Sequence, residues 1–399
     1  MVTLEEAQSI LKSHVKRIDD TEECGLIESL GRITGEGLAA RTDQPPFPRS
    51  PLDGYAVYAQ DTYGASKDGP AKLKVAGELL AGDRAVHDLC PGQAVRIMTG
   101  APLPPGADAV VRQEDTDYGE EQVRIRRSVK PYENYCFQGE DFKAGDMLIQ
   151  AGETMDTARV ALAACMGYDK IMVRKRPKIA LLTTGSELRG PGEILKQGEV
   201  YDANRYLVEA RLREWGIVPS YTGTVEDDVR KAAGCLAHLC READLVITTG
   251  GVSVGKKDIM HEVVRRLFAA RLFWRVKLKP GSPAMASLYK DTLIISLSGN
   301  PFGAAAGMEL LVRPVLHHMT GDRRLKTVRM PGVMEEDFPK GGGLRRFVRA
   351  SFRSGKVSIP SGSHSSGALR SMKDCNCLID IPADSQGLCK GDSVWVMRL

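Results

Sequence analysis

Apolar residues recur at helical spacing from the first turn, at Leu4, Ala7, Leu11 and Val15, behind a Thr3 and Glu6 pair that has the form of a capping box. This predicts an opening helix. From residue 178 the pattern becomes a strand–helix alternation. Buried-type strands are expected at 178–183, 220–224, 245–248, 274–278 and 293–296, and amphipathic helices at 204–215, 228–240, 259–268 and 302–319. Strands alternating with helices imply a mostly parallel, doubly wound sheet, whose ligands bind at the carboxyl ends of its strands.

The flanking texture differs. After Pro45-Pro46-Phe47-Pro48 the chain breaks into short alternating pieces separated by turns such as Pro102-Leu-Pro-Pro-Gly106, which predicts a β-rich insert over 41–144. A short helix is expected at 157–166, within a connecting module of residues 21–40 and 145–175. Residues 1–20 and 176–322 make the central domain, and 323–399 read as a small β-barrel-like domain. The expected fold class is therefore multidomain α/β with β-rich accessory domains.

Composition narrows the partners. The chain has 399 residues, with 55 basic and 51 acidic side chains and a formal charge of +4. That balance argues against bulk nucleic-acid binding and leaves room for a local anion site. No apolar run reaches the roughly 18 residues of a membrane span, and the first residues carry no secretion signal. Of nine cysteines, only Cys375 and Cys377 are close in sequence. Strand alternation puts both on one face as buried thiols, with no further ligands nearby to complete a zinc site. A reducing, cytoplasmic setting fits these thiols.

Candidate chemistry gathers at the expected strand ends. Thr248-Thr-Gly-Gly-Val-Ser-Val-Gly255 follows a buried strand and precedes a helix. There Gly250, Gly251 and Gly255 would let backbone approach an anion, and Ser253 adds a hydroxyl; a plain tight connection needs glycine equally. Asp258 and Asp227 each precede a helix, so capping is the bland role for both and a carboxylate at the binding edge is the functional one. Thr184-Gly-Ser-Glu187 has the form of a capping box, yet Leu188-Arg-Gly-Pro-Gly192 cannot continue a helix, which releases Glu187. Several carboxylates on one edge suit a hard cation such as Mg²⁺. Arg275, Lys277 and Lys279 are expected on one face of a strand ending there, and Ser298-Gly-Asn300-Pro301 is a third glycine-bearing loop. Asp53-Gly54, Thr99-Gly100 and Gly139-Glu-Asp141 read as turns. The run Arg345, Arg346, Arg349 and Arg353 reads as a solvated strand face.

In order along nearly the whole chain, Leu52-Asp-Gly-Tyr-Ala-Val57, Met98-Thr-Gly-Ala101, Gly106-Ala-Asp-Ala-Val-Val111, Gly139-Glu-Asp141, Thr184-Gly-Ser-Glu-Leu188, Thr249-Gly-Gly-Val-Ser-Val-Gly255, Lys279-Pro-Gly281 and Ser298-Gly-Asn-Pro301 resemble the molybdopterin molybdenumtransferase family. The resemblance implies a cytoplasmic homodimer that inserts molybdate-derived metal into adenylylated molybdopterin with Mg²⁺, releasing AMP, and a molybdopterin adenylyltransferase as a possible partner. It implies catalytic roles for Asp53, Asp141, Glu187, Asp227 and Asp258, with Glu187, Asp227 and Asp258 as metal ligands. It implies substrate contacts from Thr99, Gly250, Gly251, Ser253, Gly255, Arg275, Lys279, Ser298, Asn300, Arg345 and Ser366. This chain departs from many family members at Ser282 and Gly303, where they carry lysine and serine in an oxyanion pocket, and at Ser298 and Arg275. Arg345, Arg346, Ser365 and Ser366 are the candidate replacements. Two alternatives follow from those departures and from the central domain: a weakened paralogue that binds or delivers the pterin, and a molybdopterin adenylyltransferase.

Overall fold

The computed structural model describes residues 1–85, 88–253, 258–362 and 364–399. The chain forms two compact units. One comprises Met1–Glu22, Gly31–Gly35 and Val173–Leu399; the other comprises Glu23–Leu30 and Glu36–Met172.

The first unit holds a six-stranded sheet in the order Tyr221–Val225, Ile179–Thr184, Leu245–Thr249, Thr292–Leu297, Met285–Tyr289 and Ala270–Trp274. The first four strands run parallel, the fifth runs antiparallel to the fourth, and the sixth antiparallel to the fifth. Alternation within each strand builds two cores. Ile179, Leu181, Ile247 and Ile295 meet Leu4, Leu11, Val208, Leu212 and Leu316 on one face. Ala180, Leu182, Val246 and Ile294 meet Ala232, Leu236, Met260 and Val263 on the other. Both faces are covered, as a parallel sheet requires.

The opening helix is Leu4–Ser13, with both bonds of the Thr3–Glu6 capping box formed. One expectation needs correction. The strand expected at 274–278 ends at Trp274, because Arg275 takes a left-handed backbone (φ 65°) and the chain bends away. Its antiparallel neighbour Met285–Tyr289 was not anticipated. The helix expected at 302–319 runs without interruption over 301–320, as Pro301–Gly307, a π-helical stretch Met308–Val312 and Arg313–Thr320. Pro314 lacks an N–H and crowds the carbonyl four residues back, which widens the turn before it.

The last part of this unit is a closed five-stranded barrel: Arg345–Arg353, Lys356–Ser358, Arg329–Met334, Ser393–Arg398 and Cys377–Ile381, the last pairing back to the first. Closure leaves no free edge. Val348, Ala350, Ile379 and Val396 fill the barrel, while Phe347, Leu378 and Met397 face outward into the core of the α/β sheet. The barrel is thereby fixed to the sheet domain through apolar side chains. Cys375 lies before the strand that carries Cys377, not on one face with it. Burial pushes the two thiols up to about 11 and about 12 respectively, so both stay protonated at neutral pH.

The second unit is built on a five-stranded sheet, Ala109–Arg112, Gly54–Val57, Gln93–Ile97, Ala71–Leu79 and Gln122–Ile125. A short pair, Leu38–Ala39 with Met147–Ile149, and the helix Thr157–Cys165 complete it. No helix among the described residues is long and apolar enough to cross a membrane.

Candidate active site

Three loops converge at the carboxyl ends of the parallel strands. At Gly250 (φ +92°) an added Cβ would lie 2.4 Å from the Thr184 carbonyl oxygen, and at Gly299 it would lie 3.3 Å from Gly250 Cα. Glycine is therefore required for these loops to touch, and a left-handed backbone at Gly250 adds to the requirement. Gly255 lies outside the described residues.

The carboxylates of this edge are released from the capping roles open to them. Asp228, not Asp227, caps the helix Val229–Glu242, accepting from the backbone N–H groups of Arg230 and Lys231. Asp227 instead exchanges two bonds with Ser186, accepting from its N–H at 3.2 Å and donating its own N–H to the hydroxyl at 3.0 Å. Likewise Asp258 does not cap the helix Met260–Arg266, whose N-cap is Ile259 with no side-chain bond. Its carboxylate accepts from Ser253 N–H at 2.9 Å. Glu187 is half-buried between Ser186 and the short strand Leu188–Arg189. Among the described residues no three such ligands converge on one point. A Mg²⁺ ion here would take one or two carboxylates and complete its shell with phosphate oxygens and water, the usual arrangement for that ion.

Sequence reasoning missed Asp202. It is buried, accepts from Thr183 and Thr224 hydroxyls at 2.5 and 2.9 Å, and caps the helix Ala203–Glu214. With Gly185, Arg189, Arg205 and Glu226 it lines a cleft of about 450 Å³ on this edge. Its place after the two-residue strand Val200–Tyr201 gave no periodic signal.

A second, larger cavity of about 770 Å³ opens where the barrel meets the sheet domain. Lys279, Lys340, Arg346 and Arg349 supply its cations, and Ser365 and Ser366 line it as well. Arg349 is 1% exposed, which overturns the solvated-face reading of the arginine run. Its guanidinium stacks 4.3 Å over the Phe302 ring and donates to the Ser365 carbonyl at 3.1 Å. Phe302 N–H donates to the Ser366 carbonyl at 2.9 Å, so the serine loop is seated on the start of the Pro301–Gly307 helix. Asn300 is the N-cap of that helix and makes no side-chain cap bond. His364, also on the wall, is pushed below its ordinary value by burial and then by the charges of Arg349 and Lys340.

The other expected cations separate. Lys277 and Arg345 line a different cleft, where Arg345 is ion-paired with Asp380 and Glu5, and Arg275 stacks on Trp274 at 4.8 Å. The left-handed turn at Arg275 explains why Arg275, Lys277 and Lys279 share no face. The departures at 282, 298 and 303 acquire a packing account. Ser282 hydroxyl donates to Val276 carbonyl within its own loop. An added Cβ at Gly303 would lie 2.9 Å from both Cβ and Oγ of Ser298, so the serine at 298 occupies the room a side chain at 303 would need.

In the second unit, Asp53 accepts from both the N–H and the hydroxyl of Thr99, each at 2.7 Å. Those bonds hold its carboxyl below the ordinary range. Residues 44–50 run between residues 100–103 and 136–142, with bonds from Gly100, Ser50, Leu103, Arg49, Cys136, Gly139 and Asp141 N–H groups. Asp53, Thr99 and Asp141 therefore belong to one connected loop system of this unit.

A glycine-laced edge of a doubly wound sheet and a cation-lined cavity closed by a barrel define a multidomain α/β protein with two places suited to anionic groups. Residues 2–167 match the MoeA N-terminal region (domain I and II), 180–318 a probable molybdopterin binding domain, and 331–399 the MoeA C-terminal region (domain IV). A molybdopterin molybdenumtransferase of Staphylococcus epidermidis is 35% identical over 99% of this chain and 95% of its own. That of Bacillus subtilis is 34% identical over 97% and 91%. The crystal structure of the molybdopterin biosynthesis moeA protein from Pyrococcus horikoshii superposes with a TM-score of 0.84 at 30% identity, covering 100% and 99% of the two chains. The chain belongs to the molybdopterin molybdenumtransferase family, enzymes of molybdenum cofactor biosynthesis.

Proposed function

We propose that this enzyme inserts molybdate-derived metal into adenylylated molybdopterin and releases AMP, with Mg²⁺ as the assisting cation. The observation that carries the proposal is the cavity of about 770 Å³ bearing Lys279, Lys340, Arg346 and Arg349. Four cations there offset the absence of a lysine at Ser282 for an oxyanion. Of the candidate replacements, Arg346, Ser365 and Ser366 line that cavity. The loop at Ser298, Gly299 and Asn300 touches the glycine edge on one side and precedes the Phe302 contact on the other, so oxyanion and nucleotide sites would share a wall.

Each residue then has a role. One or two of the carboxylates Asp258, Asp227 and Glu187 would hold Mg²⁺ near the phosphoanhydride, with the Gly251 N–H and the Ser253 hydroxyl as donors to its oxygens and Gly250 shaping the loop. Lys279 and Arg346 bind the oxyanion, with Arg349 held in place by Phe302 and Ser365. Asp53 and Asp141 keep the catalytic roles that the family resemblance implies for them, and the family's homodimer is the expected assembly. The weakened-paralogue reading rests on Ser282 and Gly303, and the packing of Ser298 against position 303 reduces its force. The test is AMP release from adenylylated molybdopterin by the purified protein with Mg²⁺, with and without molybdate. Molybdate-dependent release is expected. Tight pterin binding without release would instead support the paralogue, and ATP consumption would support an adenylyltransferase.

A further inference from the structure

The loop Ser298-Gly299-Asn300 touches the glycine edge and leads into the cation cavity, yet little within it holds it in place. Gly299 and Asn300 are exposed, so packing does not fix the tip. Gly299 has no side chain, and Asn300 makes no side-chain cap bond to the helix Pro301–Gly307. Inside the loop, the Ser298 hydroxyl accepts from the Asn300 N–H at 3.2 Å.

A restraint comes from elsewhere in the same α/β domain. The Asn204 side-chain amide donates to the Gly299 carbonyl at 2.7 Å. A carbonyl can only accept, so the amide nitrogen must face it and the orientation of the side chain is set. Asn204 Oδ1 is then buried with no hydrogen-bond partner among the described residues. An unpaired buried acceptor lowers stability, so helix stability alone does not explain this arrangement.

The base from which Asn204 reaches is rigid. It sits in the first turn of the helix Ala203–Glu214, which is anchored at both ends. At the start, Asp202 caps the helix and accepts from the hydroxyls of Thr183 and Thr224, on two neighbouring parallel strands. At the far end, Arg211 pairs with the buried Glu309 at 2.6 Å. Between them, Val208 and Leu212 share a core with Phe302 and Ala306. On its other side the loop lies against Gly250, whose N–H donates to the Leu297 carbonyl at 3.2 Å. Phe302, just after the loop, carries the Arg349 stack.

We infer that Asn204 is the positioning residue for both anion sites, its bond to Gly299 fixing the loop on which the glycine edge and the cation cavity both lean. Neither ligand needs to touch it. The inference rests on the reading of the edge as a nucleotide site and of the cavity as an oxyanion site.

The experiment compares full-length wild type, Asn204→Ala, Asn204→Asp and Arg211→Ala. Each is titrated calorimetrically with AMP and Mg²⁺, and separately with molybdate, alongside thermal denaturation and amide hydrogen exchange over 297–302. Ionised aspartate keeps the shape of asparagine but has no hydrogen to donate. Both 204 variants should bind each anion about five-fold more weakly, the loss expected for one hydrogen bond, with aspartate the weaker binder for its added charge. Exchange at Asn300 and Phe302 should quicken in both. Arg211→Ala should lower the melting temperature and leave both affinities near wild type.

Wild-type exchange over the loop in Asn204→Ala overturns the clamp, as do wild-type affinities for both anions in the two 204 variants. Weakening for one anion alone overturns the shared role. Equal weakening in Arg211→Ala also overturns it, because loss of helix stability would then account for the effect. A wild type that binds neither anion, with loop exchange still dependent on Asn204, would sink the insertase reading and leave the clamp standing.

Discussion

The carboxylate edge and the cationic cavity lie in the same compact unit, yet they are built by opposite means. At the edge, each functional group is held by neighbours a few residues away or by the adjacent strand end: Asp258 by Ser253, Asp227 by Ser186, Gly250 by Thr184. In the cavity, the parts come from residues 279, 302, 340, 346, 349 and 364–366, assembled only when the barrel closes and docks on the sheet. The edge is a local device that tolerates solvent. The cavity is a tertiary device whose central cation is buried. Damage should therefore spread differently: chemistry alone fails at the edge, and chemistry fails together with stability in the cavity.

The largest contrast is expected from Asp258→Ala. AMP release should fall by orders of magnitude, while far-UV circular dichroism and the melting temperature stay near wild type. Wild-type turnover in that variant would remove Asp258 from the mechanism.

Arg349→Ala should behave in the opposite manner. It removes the stack on Phe302 and the bond to Ser365, and leaves a void beneath the barrel. A loss of about 2–4 kcal/mol in urea denaturation is expected, with weakened molybdate binding by calorimetry. Unchanged stability would show that the barrel does not depend on this contact.

Gly303→Ser tests the packing account of the departures. Overpacking against Ser298 should cost about 1–3 kcal/mol, and Ser298→Gly in the same chain, which removes both the Cβ and the Oγ it meets, should recover part of it. Equal stability of Gly303→Ser and wild type would show that the helix start yields freely.

The smallest effect belongs to Thr99→Ala in the second unit. Asp53 is held below its ordinary carboxyl value by Thr99, so its contribution is present above the unfolded value, near pH 4, and fades as pH falls through the lower folded value. Stability of wild type and variant should differ at neutral pH and converge in acid, and the Asp53 carboxyl should titrate higher in the variant by NMR. A gap that persists at low pH would assign the loss to the hydroxyl's packing and not to the carboxylate.

The same local-versus-tertiary distinction explains what the sequence could disclose. Buried-type strands such as 178–183 alternating with helices made the two-faced sheet legible, and glycine at 250 and 251 marked the candidate anion edge because the constraint is local. Pro314 could have signalled the π-helical stretch inside the helix, yet the surrounding apolar spacing hid it. The arginine run misled because charge is usually solvated. Long-range contacts, among them those with Phe302 and Ser365, make 349 a buried position, and the Phe347 between the arginines was the available hint. The turn at Arg275 was hidden for the same reason: the chain bends there to let Val276 bridge Val2, a contact far away in sequence.

The most direct test of the cavity's role is the molybdate dependence of AMP release in wild type and Arg346→Ala at saturating Mg²⁺ and adenylylated molybdopterin. The account predicts a half-saturating molybdate concentration raised about ten-fold or more, as expected for losing one charge-assisted contact of roughly 1.5–3 kcal/mol, with maximal release little changed. An identical molybdate requirement in the two proteins would contradict it, and would place the oxyanion somewhere other than the cavity between barrel and sheet.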